Sequence, residues 1–158
     1  MTSIRPADAT DMAAVADLWH EGWHDGHAGH VPDGLTAART RQAFHDRTPS
    51  RVADTSVAVT EDGELVGFVM VAGDEVEQVF VARAARGTGL AASLLAEAER
   101  RVFAAGHASA WLAVVAGNAR ARAFYAKHGW LDAGDLPYVV TAGGEEFVSP
   151  CRRYVKQR

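Results

Sequence analysis

Arg86-Gly87-Thr88-Gly89-Leu90-Ala91 is the segment of this chain with the clearest chemistry. Closely spaced glycines let backbone N–H groups approach an anion with no Cβ in the way. A helix starting near Leu90 adds the positive end of its dipole. The pattern predicts a site for a phosphate-bearing ligand, with a plain tight turn before a helix as the alternative. Upstream, the strand-like run Glu75–Val81 carries two carboxylates. Regular alternation puts Glu75, Glu77, Val79 and Val81 on one face and Val76, Gln78 and Phe80 on the other. The four steps from Glu77 to Val81 span roughly 13 Å, so the carboxylates and the anion loop mark separate parts of an elongated site.

A second pattern follows at Asn118–Trp130, reading NARARAFYAKHGW. Asn118 can cap a helix, Ala121, Phe124, Tyr125 and His128 share one face, and Gly129 can end it. The Tyr125 hydroxyl needs a polar partner if buried; core packing accounts for Phe124 and Trp130. His20, His24 and His27 have the spacing of one helical face, but no cysteine or clear carboxylate set completes a metal site, and none is expected. Cys151 has no evident histidine partner and reads as a peripheral thiol in a closing strand.

These groups need a scaffold, and the chain supplies alternating signals for one. Ile4–Arg5 opens as a short strand, Asp11–His24 is helical with Asp8 or Thr10 as cap, and Thr36–Asp46 is a second helix. Thr55–Thr60, Leu65–Ala72 and Glu75–Val81 form an antiparallel meander joined by short turns. Leu90–Ala105 is a long helix, Ala110–Val115 a strand apolar enough to be buried on both faces, and Asn118–His128 a short helix. A further strand starts at Trp130–Leu131, and Glu146–Tyr154 supplies the final edge strand. The result is one compact mixed α/β domain spanning residues 1–158, with no repeat or linker.

Composition narrows the class. With 16 basic and 20 acidic residues the formal charge is −4, which argues against general nucleic-acid binding. Any local basic patch draws on Arg83, Arg86, Arg120, Arg122 and Lys127. No apolar run reaches the roughly 20 residues needed to span a bilayer, the N-terminus lacks a signal-peptide core, and one cysteine excludes an internal disulfide. A cytoplasmic location is expected. The glycine loop lacks the Lys-Ser or Lys-Thr of a Walker motif, and it follows a meander strand rather than the first strand of a βαβ unit.

Together VEQVFV (Val76–Val81), RGTGLA (Arg86–Ala91) and NARARAFYAKHGW (Asn118–Trp130) resemble the Gcn5-related N-acetyltransferase family. The loop fits the family's Arg/Gln-x-x-Gly-x-Gly/Ala pattern through Arg86, Gly89 and Ala91. The later segment fits Asn-x-x-Ala-x-x-Phe-Tyr-x-x-x-Gly-Phe/Trp. The resemblance is specific over Val76–Trp130 and extends by element order from Ile4 to Tyr154. It implies the acyl-CoA N-acyltransferase fold: a mixed, mostly antiparallel central sheet with splayed parallel strands and flanking helices.

The resemblance also implies acetyl-CoA as acyl donor and an amine as acceptor. Arg86, Gly87, Thr88, Gly89, Leu90 and Ala91 would bind the pyrophosphate. Val79, Phe80 and Val81, opposite Leu112–Val115, would bind the pantetheine arm, with Asn118 and Arg122 nearby. An alkylammonium must lose a proton before it can attack. Glu77 is the preferred base, directly or through water, and Glu75 its competitor, with Gln78 exposed instead if the strand is irregular. Tyr125 matches the tyrosine that protonates the departing thiolate. Trp19 and Trp23 would wall the acceptor pocket, with His24 and Glu75 as further substrate contacts and Glu21 or Asp25 attracting the amine. A small amine or amino-acid derivative is the leading acceptor. A protein or peptide N-terminus, a noncatalytic acyl-CoA sensor and a nucleotide-dependent transferase are the competing readings. A homodimer is a family-based expectation.

Overall fold

A computed structural model describes residues Met1–Arg158. Seven strands, β1 (Thr2–Pro6), β2 (Thr55–Thr60), β3 (Leu65–Ala72), β4 (Glu75–Val81), β5 (Ser109–Val115), β6 (Leu131–Ala142) and β7 (Glu145–Gln157), form one sheet in the order β1-β2-β3-β4-β5-β7-β6. The β2–β3–β4 meander turns at Gly63 (φ 85°) and Gly73 (φ 60°), where a left-handed backbone favours glycine. Five helices pack on the sheet: α1 (Met12–His27), α2 (Asp33–Ala38), α3 (Arg41–Arg47), α4 (Leu90–Ala104) and α5 (Ala119–Lys127). No helix is long and apolar enough to cross a membrane.

All neighbouring strands are antiparallel except β4 and β5, which run parallel and share a single register pair, Glu75 with Trp111. That contact is fixed by Asp74, whose carbonyl accepts from Trp111 N and whose carboxylate accepts from Trp111 Nε1, both at 3.0 Å. Beyond it the two strands diverge, as the mostly antiparallel sheet with splayed parallel strands requires. The last strand departs from expectation. β7 is not an edge strand: it pairs with β5 over Ser109–Val115 on one side and with β6 on the other, leaving β6 at the edge.

β4 carries a bulge. Gln78 pairs with Met70 and Val76 with Val71, so Glu77 is the extra residue in the ladder. The strict alternation expected for this strand therefore fails. Val76, Val79 and Val81 all pack in the cluster under α4, with Leu94, Leu95 and Leu112, whereas Phe80 packs on the opposite face with Trp19, Phe44 and Phe68. A single inserted residue thus turns both carboxylates away from α4.

The helices show why local chemistry decides boundaries. Asp8 forms a capping box with Asp11 ahead of α1, and α1 runs on through Gly26 to His27, one turn past its buried residues Val15, Trp19 and Trp23. The helix expected over Thr36–Asp46 is two helices. Arg39 leaves helical geometry (ψ 61°), and Thr40 restarts the chain by capping α3 through its hydroxyl to Ala43 N (3.1 Å).

Candidate active site

The divergence of β4 from β5 opens a cleft of about 730 Å³ that crosses the molecule. Val79, Phe80 and Val81 form one wall and Ala113, Val114 and Val115 the other. Phe80 can lie flat against α1 only because residue 22 is glycine: a Cβ there would overlap its ring. At one end are the glycine loop and α5; at the other are Trp19, Trp23, the two carboxylates and the inner residues of β6 and β7.

Gly87 (φ 78°) and Gly89 (φ 84°) both need the left-handed region, and a Cβ at either would meet nothing within 4 Å. Glycine is thus demanded by the backbone turn, and the space around it is open to a ligand. The first backbone bond of α4 runs from Ser93 N to Gly89 O (3.2 Å), leaving the Leu90, Ala91 and Ala92 amides without a partner in the helix. These donors fit a pyrophosphate-like anion. Arg86, Gly87, Gly89 and Ala91 line the cleft; Thr88, whose hydroxyl donates to Ala85 O at 2.5 Å, and Leu90 do not.

Arg86 is already paired. Its Nη2 lies 2.9 Å from Asp25, which also binds Arg83 Nη2 at 2.6 Å, and Glu21 lies 3.3 Å from Arg83 Nε. The bond from Arg83, then that from Arg86, hold the Asp25 carboxyl below its ordinary range. The two acids read as attracting an amine are therefore engaged by arginines at the anion end.

α5 borders the same end. Asn118 caps it through Oδ1 to Ala121 N (3.1 Å) and lines the cleft. Arg122 points elsewhere, donating to Ala116 O (3.1 Å), Tyr154 Oη (3.3 Å) and Asp132 (3.3 Å), and so braces the β5–α5 junction. Tyr125 lines the cleft among Phe124, Trp130 and Tyr154. Burial pushes its phenol up to about 12, so the proton stays on Oη in neutral solution.

At the other end the carboxylates have different partners. Glu77 accepts from Arg51 Nη1 (2.5 Å) and Nη2 (3.0 Å), a two-point pair in which Arg51 also holds Asp54 (2.9 Å). Glu75 Oε1 accepts from Tyr138 Oη at 2.9 Å. Burial raises the Glu75 carboxyl above its ordinary value, against the opposing pull of that hydrogen bond. Gln78 lines the cleft as well, as expected of an irregular strand.

Trp19 and Trp23 form part of the wall from within the core, both buried. His24 lies off the cleft, its Nε2 2.6 Å from Arg39 O. His27 lines it instead, stacked on Trp23 at 4.5 Å with an interplanar angle of 6°. Burial pushes His27 down to about 4, so the ring is neutral at physiological pH. Cys151 is not peripheral. Because β7 is an interior strand the thiol is buried, lines the cleft beside Ser149, and is pushed up by burial, the opposite of an activated nucleophile.

Sequence reasoning missed Arg39, Arg47, Arg51 and Tyr138, all of which line or support the carboxylate end of the cleft. None sits in a local motif. Tyr138 lies 63 residues from Glu75 and Arg51 lies 26 from Glu77, so pairing depends on the sheet order.

Comparison with known proteins agrees with this fold. The sequence model described as the acetyltransferase (GNAT) family matches residues 13–130. The chain is similar in structure to the PaiA N-acetyltransferase of Thermoplasma acidophilum in complex with coenzyme A (TM-score 0.76, 18% identity, 100% of this chain and 99% of that one). It is also similar to the ribosomal-protein-alanine N-acetyltransferase of Brucella melitensis (0.73, 23%, 99% of each) and to YncA of Salmonella typhimurium with its cofactor acetyl-CoA (0.68, 18%, 99% and 94%). A search of curated proteins found no match.

Proposed function

The chain belongs to the acetyltransferase (GNAT) family, and on that basis we propose that it moves an acetyl group from acetyl-CoA to the primary amine of a small molecule or amino-acid derivative. One observation carries the reading: a single cleft joins a ready-made anion site to a pair of carboxylates through diverging parallel strands. Structural neighbours described with coenzyme A and acetyl-CoA support the donor assignment. The single cysteine suits a cytoplasmic protein.

The donor supplies an activated thioester; the rest is done by the chain. Amides of the glycine loop after Arg86 and of the first turn of α4 hold the pyrophosphate, and Asn118 lies along the donor end. Backbone groups of Val79–Val81 and Leu112–Val115, released from mutual pairing by the splay, bind the pantetheine amides. Arg122 acts as a brace for α5 rather than a donor contact.

The attacking amine must give up a proton. We assign its receipt, directly or through water, to Glu75 and a fixing role to Glu77. A buried carboxyl with a raised pKa is the better base near neutrality, whereas both Glu77 oxygens are occupied by Arg51. Tyr125 Oη holds the proton that the departing sulfur takes.

The test is amine-dependent thiol release from acetyl-CoA across a panel of small amines and peptide N-termini. Release with small amines supports the reading. Release with peptides alone transfers it to a protein acetyltransferase, and tight coenzyme A binding without release from any amine supports an acyl-CoA sensor.

A further inference from the structure

Two arginines at the acceptor end lack the partners that other buried cations of this chain possess. Arg39 is only 6% exposed, and its Nε is buried without a hydrogen-bond partner. Its guanidinium lies 6.0 Å from the Trp23 ring. Arg47, partly buried at the end of α3, stacks 4.5 Å from Trp19 and 5.6 Å from Phe44. Arg51, their neighbour in sequence, has Glu77 and Asp54; neither Arg39 nor Arg47 forms an ion pair. Both line the cleft.

Leaving a cation buried and unpaired is costly. Stacking on indole recovers part of that cost but satisfies none of the guanidinium's planar N–H donors. Burial and the nearby Arg39 push Arg47 down to about 10 against the opposing pull of the more distant Glu77, which still leaves Arg47 charged at neutral pH; a guanidinium such as that of Arg39 is not deprotonated in proteins. Arg86, where the donor phosphate is proposed to bind, belongs to the opposite end of the cleft and has its own acid, Asp25. Arg39 and Arg47 thus lack an anion at this end, where Glu77 is held by Arg51 and Glu75 is left for a cation.

We propose that Arg39 and Arg47 form an anion subsite for a carboxylate of the acceptor, so that the preferred acceptor carries an amine and a carboxylate on one small, partly apolar molecule. The inference rests on the acetyltransferase reading for the amine end, and on these two arginines for the acid end. Trp19, Trp23 and Leu35 supply the apolar wall, so an amino acid with a hydrophobic side chain fits the charge pattern.

The experiment compares matched acceptors that differ only at the acid: phenylalanine and methionine, their amides, their decarboxylated amines and their phosphonate analogues. Thiol release gives kcat/KM for each. Acceptor binding is followed separately by tryptophan fluorescence with coenzyme A bound, which needs no transfer. The amino acids are expected to exceed their amides and decarboxylated amines by about 10- to 100-fold, as for charged hydrogen bonds. That ratio should fall toward one in Arg47→Gln and Arg39→Gln and survive in Arg47→Lys, which keeps the charge if Arg47→Gln fails to fold. Phosphonates outperforming carboxylates would replace the acid named here and overturn it. Equal or better use of carboxylate-free amines, an unchanged ratio in both glutamine variants, or loss of coenzyme A affinity in place of the ratio would overturn it too. Carboxylate-dependent binding with no thiol release would remove the transferase reading and leave the anion subsite standing.

Discussion

Tyr138 Oη donates to Glu75 Oε1 at 2.9 Å, tying the edge strand β6 to the last point at which β4 and β5 lie side by side. This bond stabilises the carboxylate and opposes the burial that raises the Glu75 pKa. Removing it in Tyr138→Phe should raise that pKa further. If Glu75 receives the amine proton, the rising limb of the kcat/KM profile moves to higher pH, by up to ~1 unit, and Glu75→Gln abolishes the limb. A limb that stays in place in Tyr138→Phe assigns the proton elsewhere.

Glu75 also makes a stability prediction whose sign differs from that of a salt-bridged acid. Its folded pKa is above its unfolded one, so between the two the folded state binds more protons. Stability is lost as pH rises through that window. Glu75→Gln removes the penalty, and its melting temperature should gain on the parent as pH goes from acid to neutral. A gap that narrows with rising pH would show that the carboxylate is stabilised, not strained, by its surroundings.

Arg51 holds Glu77 in a part-buried pair with side chains 19% and 21% exposed. Arg51→Met leaves that carboxylate unpaired and should cost about 1–3 kcal/mol in urea denaturation. Arg51→Met with Glu77→Gln should recover part of the loss, since the stranded charge is then gone. If Glu77 only fixes the bulge, Glu77→Gln leaves the pH dependence of kcat/KM intact while lowering stability.

These partners show where sequence reading stops. The meander, the glycine loop and α5 were legible because each is written in contiguous residues: β2, β3 and β4 fall at the expected positions, and Gly89 and Asn118 sit at helix starts. An irregular β4 was allowed for, but the place of the bulge was not legible, because it is a register difference with Met70 and Val71 on another strand. The interior position of β7 follows from strand order rather than from its composition, and it carried Cys151 from the periphery into the cleft. The break of one expected helix into α2 and α3 had a local signal, Thr40 as a cap, which the surrounding alanines obscured.

Tyr125 keeps its proton to about pH 12 and lines the cleft with no side-chain bond drawing on its hydroxyl. Tyr125→Phe should fold normally, since the ring's contacts with Phe124, Trp130 and Tyr154 remain. Its kcat at saturating donor and acceptor should drop about 100-fold or more if Oη protonates the departing sulfur. Unchanged turnover would leave the residue with packing alone, and a loss confined to donor KM would make it a binding contact.

Asp25 sets a carboxylate against the glycine loop. It neutralises Arg86 at the glycine loop and shares its charge with Arg83. A pyrophosphate bound there competes with this carboxylate for the same guanidinium and is repelled by it. Asp25→Asn should therefore tighten coenzyme A binding in calorimetry, by roughly two- to ten-fold at low ionic strength given the modest worth of exposed pairs. Salt should narrow the difference as the Debye length shortens to about 8 Å near physiological strength. Dephosphorylated pantetheine, which lacks the pyrophosphate, should bind both proteins alike. Weaker coenzyme A binding by Asp25→Asn would give the acid the opposite role, that of holding Arg86 in position for the ligand.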